Sequence, residues 1–201
     1  MIGVVLISGS GSNLQSLIDN AENIDLEISC VISNNPNAYG LERAKNAGIE
    51  TKILEHTQFT SRENYDRSLK KIIDEYKPGI IILAGFMRIL TADFVNSYLG
   101  KIINIHPSLL PKHQGLNTHE RAIQAGDKIH GASVHFVTAE LDGGPIIAQK
   151  AIEIYDNENS ESLAKRVLRE EHKIYPMVVK WFTEGRVYYK NNKVVLDNKI
   201  L

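Results

Sequence analysis

Residues 79–85 read GIIILAG, an apolar run with no polar residue in alternation. A strand with one wet face alternates, so an unbroken run this short marks a strand covered on both faces. A helical pattern precedes it, SRENYDRSLKKIIDEYKP (61–78). Ser61 can cap that helix, Leu69, Ile72 and Ile73 share a face, and Pro78 stops it. The same succession runs back to the start of the chain. IGVVLI (2–7) is a strand, apolar residues at 14, 17 and 18 have helical spacing, and LEISCVIS (26–33) is a second strand. SNNPNAYG (33–40) reads as a polar loop, LERAKNAG as a helix and IETKIL as a third strand. Strand and helix in turn predict an α/β fold: a doubly wound, mostly parallel sheet with helices on both faces, its N-terminal half Rossmann-like.

The pattern changes after residue 100. KIINIH is a strand, a loop through Gly115 leads to a helix near THERAIQAG, and HGASVHFVT and PIIAQKAIEI are strands joined by AELDGG. NSESLAKRVLREEHKIYPMVVKWFTEG reads as one long helix with an expected kink at Pro176, and VYYKNNKVVLD as a terminal hairpin. Without repeats or a linker, residues 1–201 are expected to form a single domain with halves at 1–100 and 101–201.

Net charge −1 argues against a nucleic-acid partner, which calls for a basic stripe. The N-terminal apolar run is too short for a membrane span and lacks a basic leader, so it reads as a buried strand. Cys30 is the only cysteine, so no internal disulfide can form, and a reducing cytoplasm is the expected compartment. Cys30 itself reads as a small core residue.

SGSGSN (8–13) lies between the first strand and the first helix. Gly9 and Gly11 permit a tight turn, and N–H groups at the helix start, with Ser12 and Asn13, suit a phosphate. No Gly-Lys-Ser/Thr follows, and Leu14 stands where a dinucleotide fingerprint wants glycine or alanine. The alternative is a plain β-α turn with Asn13 as N-cap.

NIHPSLLP (104–111) ends the strand before the fold changes. Ligands of open parallel sheets bind beyond the carboxyl ends of strands, and residues of equal parity share a side, so Asn104 and His106 can face one cleft. An amide beside an imidazole can stabilise an oxyanion and supply a proton. The alternative is an asparagine that ties a turn and a histidine that packs. Asp142 in ELDGG is a third candidate. Near His106 its carboxylate would favour the charged imidazole, but Asp-Gly is also the signal of a type I′ hairpin.

Taken together, VVLISGSGSNLQ, AYGLERA, LAGFMRIL, NIHPSLLPK, HGASVHFVTAELDGGPII and EEHKIYP, in this order over most of the chain, resemble the folate-dependent phosphoribosylglycinamide formyltransferases. LAGFMRIL, NIHPSLLP and ELDGGP belong to the wider formyltransferase superfamily. GSGSN and EEHKIYP point to the glycinamide ribonucleotide branch. The resemblance implies formyl transfer from 10-formyltetrahydrofolate to the primary amine of glycinamide ribonucleotide, in purine biosynthesis and without a metal. It implies Asn104, His106 and Asp142 as the catalytic set. Gly11, Ser12 and Asn13 would hold the ribonucleotide phosphate, in the 1–100 half. Leu168, Arg169, Glu170 and Glu171 would complete that site, Glu171 at the glycinamide end. The folate would be held largely by the 101–201 half. Asn104 and the stretch Thr138, Ala139, Glu140, Leu141 and Asp142 would meet it there, and Met87, Arg88, Ile89 and Leu90 would line its pterin slot. Arg62 would stand near its glutamate tail. A monomer or homodimer is expected.

There are departures from the family pattern. The stretch before Gly115 is KHQG, where the family often has an aromatic residue and proline, and Asn117 replaces a frequent histidine, while His119 is kept. Related methionyl-tRNA formyltransferases carry an added C-terminal domain and a basic surface, and formyltetrahydrofolate deformylases an N-terminal regulatory domain. Neither pattern is met in this sequence. A nicotinamide enzyme would want an acidic residue where Ser33 and Asn34 stand, and a non-catalytic nucleotide module would have no use for Asn104, His106 and Asp142 together.

Overall fold

In β1 (Ile2–Ile7) and β4 (Ile80–Leu83) successive side chains enter opposite cores, which is why neither strand alternates with polar residues. Val5, Ile7, Ile80 and Ile82 face one core, and Val4, Leu6, Ile81 and Leu83 the other. The structure, a computed structural model, describes residues 1–201. Between these strands lie α1 (Ser12–Asn20), β2 (Glu27–Ser33), α2 (Tyr39–Asn46), β3 (Glu50–Ile53), a 3-10 turn at His56–Gln58 and α3 (Arg62–Tyr76). After β4 come α4 (Ala92–Ser97), β5 (Ile102–His106), α5 (Thr118–Gln124), β6 (Ile129–Phe136), β7 (Ile146–Glu153) and α6 (Ser160–Thr183). A small sheet of β8 (Val187–Lys190), β9 (Lys193–Leu196) and β10 (Lys199–Ile200) ends the chain.

The seven-stranded sheet has the order β3-β2-β1-β4-β5-β6-β7. Its first five strands are parallel, and β6 and β7 are added antiparallel. The expected doubly wound, mostly parallel sheet is therefore present. Helices α1, α2 and α6 cover one face and α3 and α4 the other. The chain winds away from β1 in both directions, so β1 and β4 flank a switch point where a crevice opens beyond their carboxyl ends.

Local details refine the sequence reading. Ser61 caps α3 by accepting from the Asn64 N–H at 3.2 Å, as expected. The segment read as loop up to residue 40 already turns helical at Tyr39. Helix α4 has no counterpart in the sequence reading. It is one short turn, capped by Thr91, whose hydroxyl accepts from the Phe94 N–H at 3.3 Å. Helix α6 is uninterrupted through the buried Pro176. Its immediate neighbour Tyr175 is fully buried, and its hydroxyl donates to the Leu83 carbonyl at 2.8 Å with Ile103 O at 3.3 Å, pinning β4 and β5 from below. Cys30 is buried in the α3 core, as read. No helix is long and apolar enough to cross a membrane.

Candidate active site

The glycine loop occupies the switch point. Gly11 is left-handed (φ 69°), and a Cβ there would run into Gly40 Cα at the start of α2. Glycine is thus required twice, for conformation and for the close approach of two backbones. The loop is tied on both sides. The Gly40 N–H donates to Gly9 O at 3.0 Å, and Arg43 Nε to Ser10 O at 2.9 Å. Ser8 joins it to the segment after β4: its N–H donates to Gly85 O at 3.1 Å, and its hydroxyl accepts from the Met87 N–H at 2.7 Å. No side chain caps α1, so the N–H groups of its first turn remain available to an anion.

Asn13 is therefore not the N-cap of the alternative reading. It lies inside the first turn, and its Nδ2 donates to Glu171 Oε2 at 2.7 Å. Glu171 on α6 is only 6 % exposed, and burial pushes its carboxyl above the usual range, partly offset by the Asn13 amide. Asn13 Oδ1 is buried without a partner. Of the other α6 residues, Leu168 and Glu170 are half-buried, Arg169 is exposed, and Glu170 is paired with Lys173 at 2.7 Å.

Asn104 and His106 lie on the same side of β5, as parity requires. Asn104 pairs across the sheet with His135. His135 Nδ1 lies 2.9 Å from the Phe136 carbonyl, so that nitrogen carries the proton and Nε2 accepts from Asn104 Nδ2 at 3.2 Å. Burial keeps His135 neutral, lowering its pKa despite the Phe136 carbonyl and the Asp142 carboxylate. His106 is 5 % exposed. Its Nε2 lies 3.0 Å from the His113 carbonyl and its Nδ1 3.4 Å from Asp142 Oδ2. The His113 carbonyl can only accept, so Nε2 carries a proton, and Nδ1 stands at ion-pair distance from the carboxylate.

Asp142 does not sit in a two-residue hairpin turn. Its loop runs from 137 to 145 between β6 and β7, and Asp142 itself is left-handed (φ 48°). Its Oδ2 accepts from the Gly115 N–H at 2.9 Å, and its carbonyl from Gln114 Nε2 at 3.3 Å. Two loops thus close on one carboxylate. The exit from β5 is held by residues that sequence reasoning did not single out. The Ser133 hydroxyl donates to Ser108 O at 2.6 Å and accepts from the Leu110 N–H at 3.0 Å, and Gln149 Nε2 donates to Leu110 O at 2.9 Å. No local spacing announces these contacts. The β5–β6 register, His106 opposite Ser133, and the β6–β7 register, Ser133 opposite Gln149, bring them about.

Beside Asn104 opens a slot lined by Arg88, Ile89, Leu90 and the run Thr138 to Asp142, together with Leu83, Phe86, Val95 and Val137. Met87 is the exception among the residues expected there. It is exposed and lines the glycine-loop side of the crevice, with Ser8 to Asn13. Arg62 is exposed at the start of α3 and is not part of the slot lining. Arg88 instead stacks on the Tyr65 ring at 5.4 Å, and Asp66, buried beside it, accepts from the Thr91 N–H at 2.6 Å and so anchors the 87–91 segment.

A nest of N–H donors at a switch point, facing an amide, an imidazole and a carboxylate across one crevice, defines a group-transfer site of the formyl transferase kind. The formyl transferase family model matches residues 1–179, and the chain belongs to that family. Within it, the chain is 50 % identical over 200 residues to the phosphoribosylglycinamide formyltransferase of Escherichia coli (strain K12), covering 98 % of this chain and 94 % of that one. It is 42 % identical over 190 residues to the trifunctional purine biosynthetic protein adenosine-3 of Homo sapiens, covering 94 % of this chain but 19 % of that protein. The solved phosphoribosylglycinamide formyltransferase of Coxiella burnetii superposes with a TM-score of 0.97 at 52 % identity, covering 100 % of this chain and 95 % of that one.

Proposed function

We propose that the protein transfers the formyl group of 10-formyltetrahydrofolate to the primary amine of glycinamide ribonucleotide, giving N-formylglycinamide ribonucleotide in purine biosynthesis. The observation that carries this reading is that Asn104 and Asp142 line an apolar slot with His106 beside Asp142, on the same carboxyl edge of the sheet as the uncapped N–H groups at the start of α1. The first turn of α1, from Gly11 to Asn13, takes the phosphate. Glu171, held by Asn13, receives the amine end, where its carboxylate accepts a hydrogen bond from the neutral amine and orients the lone pair. The pterin lies in the slot beside Asn104, against Ile89, Leu90 and the 138–142 run.

The amine nitrogen attacks the formyl carbon, and the carbonyl oxygen becomes an oxyanion. The Asn104 amide, oriented by neutral His135, and the His106 N–H are placed to stabilise that charge, a role worth about 10²–10³ in rate per donor. On collapse the bond from carbon to the folate nitrogen breaks. The proton shed by the attacking amine is passed to that nitrogen, with Asp142 beside His106 as the group that moves it. The formyl group is already an activated acyl donor, so the reading needs no metal. The protein acts in the cytoplasm as a monomer or homodimer, on two small molecules rather than on nucleic acid or a membrane.

Folate absorbance tests the reading, with glycinamide ribonucleotide added last. A rate that begins on that addition, with formylated ribonucleotide as product, supports it. Release of formate from the folate without the acceptor would replace it by a hydrolase.

A further inference from the structure

The His106 ring is gripped at both nitrogens, and the grip at Nε2 is the shorter: 3.0 Å to the His113 carbonyl, against 3.4 Å from Nδ1 to Asp142. That carbonyl comes from a residue in the left-handed region (φ 55°), an uncommon conformation for a residue other than glycine. His113 Nε2 donates to Asp127 Oδ2 at 2.8 Å, and the other Asp127 oxygen accepts from Lys112 Nζ at 2.9 Å. Asp127 is itself fixed between α5 and β6, where its N–H donates to Ala122 O at 3.1 Å. The His113 ring is 12 % exposed and meets the His130 ring edge-on at 6.0 Å.

We propose that Asp127 and His113 form a positioning couple for His106: the Asp127 carboxylate fixes the His113 ring, and with it the carbonyl that fixes the Nε2–H of the catalytic ring. Two histidine–carboxylate pairs then stand back to back. His106 with Asp142 faces the crevice, and His113 with Asp127 faces the protein. The His113 carbonyl accepts only from a protonated nitrogen, so it assigns Nε2 as the permanent donor and leaves Nδ1, beside Asp142, as the nitrogen whose proton changes hands. The His113 hydrogen bond and then Lys112 hold the Asp127 carboxyl below the usual carboxylate range, so the couple is intact at neutral pH. Lys112 and His130 are the other titratable groups around it, and burial lowers the pKa of His130 to about 4, leaving it uncharged there.

The inference rests on His106 acting in formyl transfer, and its test has one readout that does not need turnover. In Asp127→Ala, kcat is expected to fall about tenfold with both KM values within about twofold, because a ring off its line costs the chemical step and not binding. The pH profile of kcat is expected to shift with it. Asp127→Asn keeps an oxygen for His113 Nε2–H and should restore most of the loss. His113→Phe should repeat the Asp127→Ala defect, and the double variant should add nothing further. In ¹⁵N-histidine spectra of the unliganded protein, the His106 Nε2 resonance should move in Asp127→Ala. An unmoved resonance overturns the couple whether or not formyl transfer stands. So does a variant that only melts earlier, with kcat and its pH profile unchanged, and so do additive losses in the double variant. If Asp127→Ala does not fold, Asp127→Asn and His113→Phe decide the matter.

Discussion

The two ends of the crevice are built differently. At the glycine loop the groups offered to a ligand are backbone N–H groups, set by residues close in sequence and by the contact of Gly11 with Gly40. At the far end the proposed catalytic groups are side chains: Asn104 and His106 from β5, and Asp142 from a loop that reaches them only through the β5–β6 and β6–β7 pairings. The first end is a local conformation, and the second is a tertiary assembly. Substitutions at the first should therefore change binding, and those at the second should change turnover.

The largest effect expected is at the assembled end. His106→Ala, or Asp142→Asn, should lower kcat by about 10³-fold while both KM values and the near-UV spectrum stay close to the parent. A comparable rise in KM instead would erase the contrast between the ends. Next, Gly11→Ala places a Cβ against Gly40 and forces alanine into left-handed backbone, at about 1–2 kcal/mol. It should raise the KM for the ribonucleotide about tenfold and leave folate binding, read by titration, unchanged.

A finer test uses pH, because buried groups at the two ends respond with opposite sign. Glu171 is raised by burial, so the folded state binds more protons, and its contribution to stability is lost as pH rises above the ordinary value of 4.5. Glu171→Gln should raise the melting temperature by about 2–4 °C at pH 8 and leave it unchanged in acid. His130 is lowered to about 4 by burial, so the unfolded state binds more protons, and stability is lost as pH falls from 6.5 through 4. His119 and His135, also lowered by burial, act in the same direction. His130→Gln should flatten the acid limb of a plot of melting temperature against pH, the smallest of these effects. A steeper limb would mean that His130 is not held neutral in the fold.

The difference between the ends also explains what could be read in advance. The winding of the sheet follows from GIIILAG and its neighbours, because a strand buried on both faces leaves its mark in every residue. The cap at Ser61 and the common side of Asn104 and His106 follow from spacing alone. Asn13 shows the limit. Its position suggested a cap, while its partner Glu171 lies 158 residues away. Periodicity tells which face a residue occupies, not what stands opposite. The Ser133 and Gln149 contacts to the β5 exit, the His113–Asp127 pair and the short α4 turn were hidden for that reason. Each is decided by register or by a single cap rather than by a repeated pattern.

Glu171 and Tyr175 are one turn apart on α6, about 6 Å along its axis. Glu171 holds Asn13 of the loop proposed to meet the ribonucleotide, and Tyr175 is bonded to the carbonyls of Leu83 and Ile103, next to Asn104. The helix is therefore a gauge block between the two seats. On the proposed function, one rigid helix thus sets the distance between the ribonucleotide and folate sites.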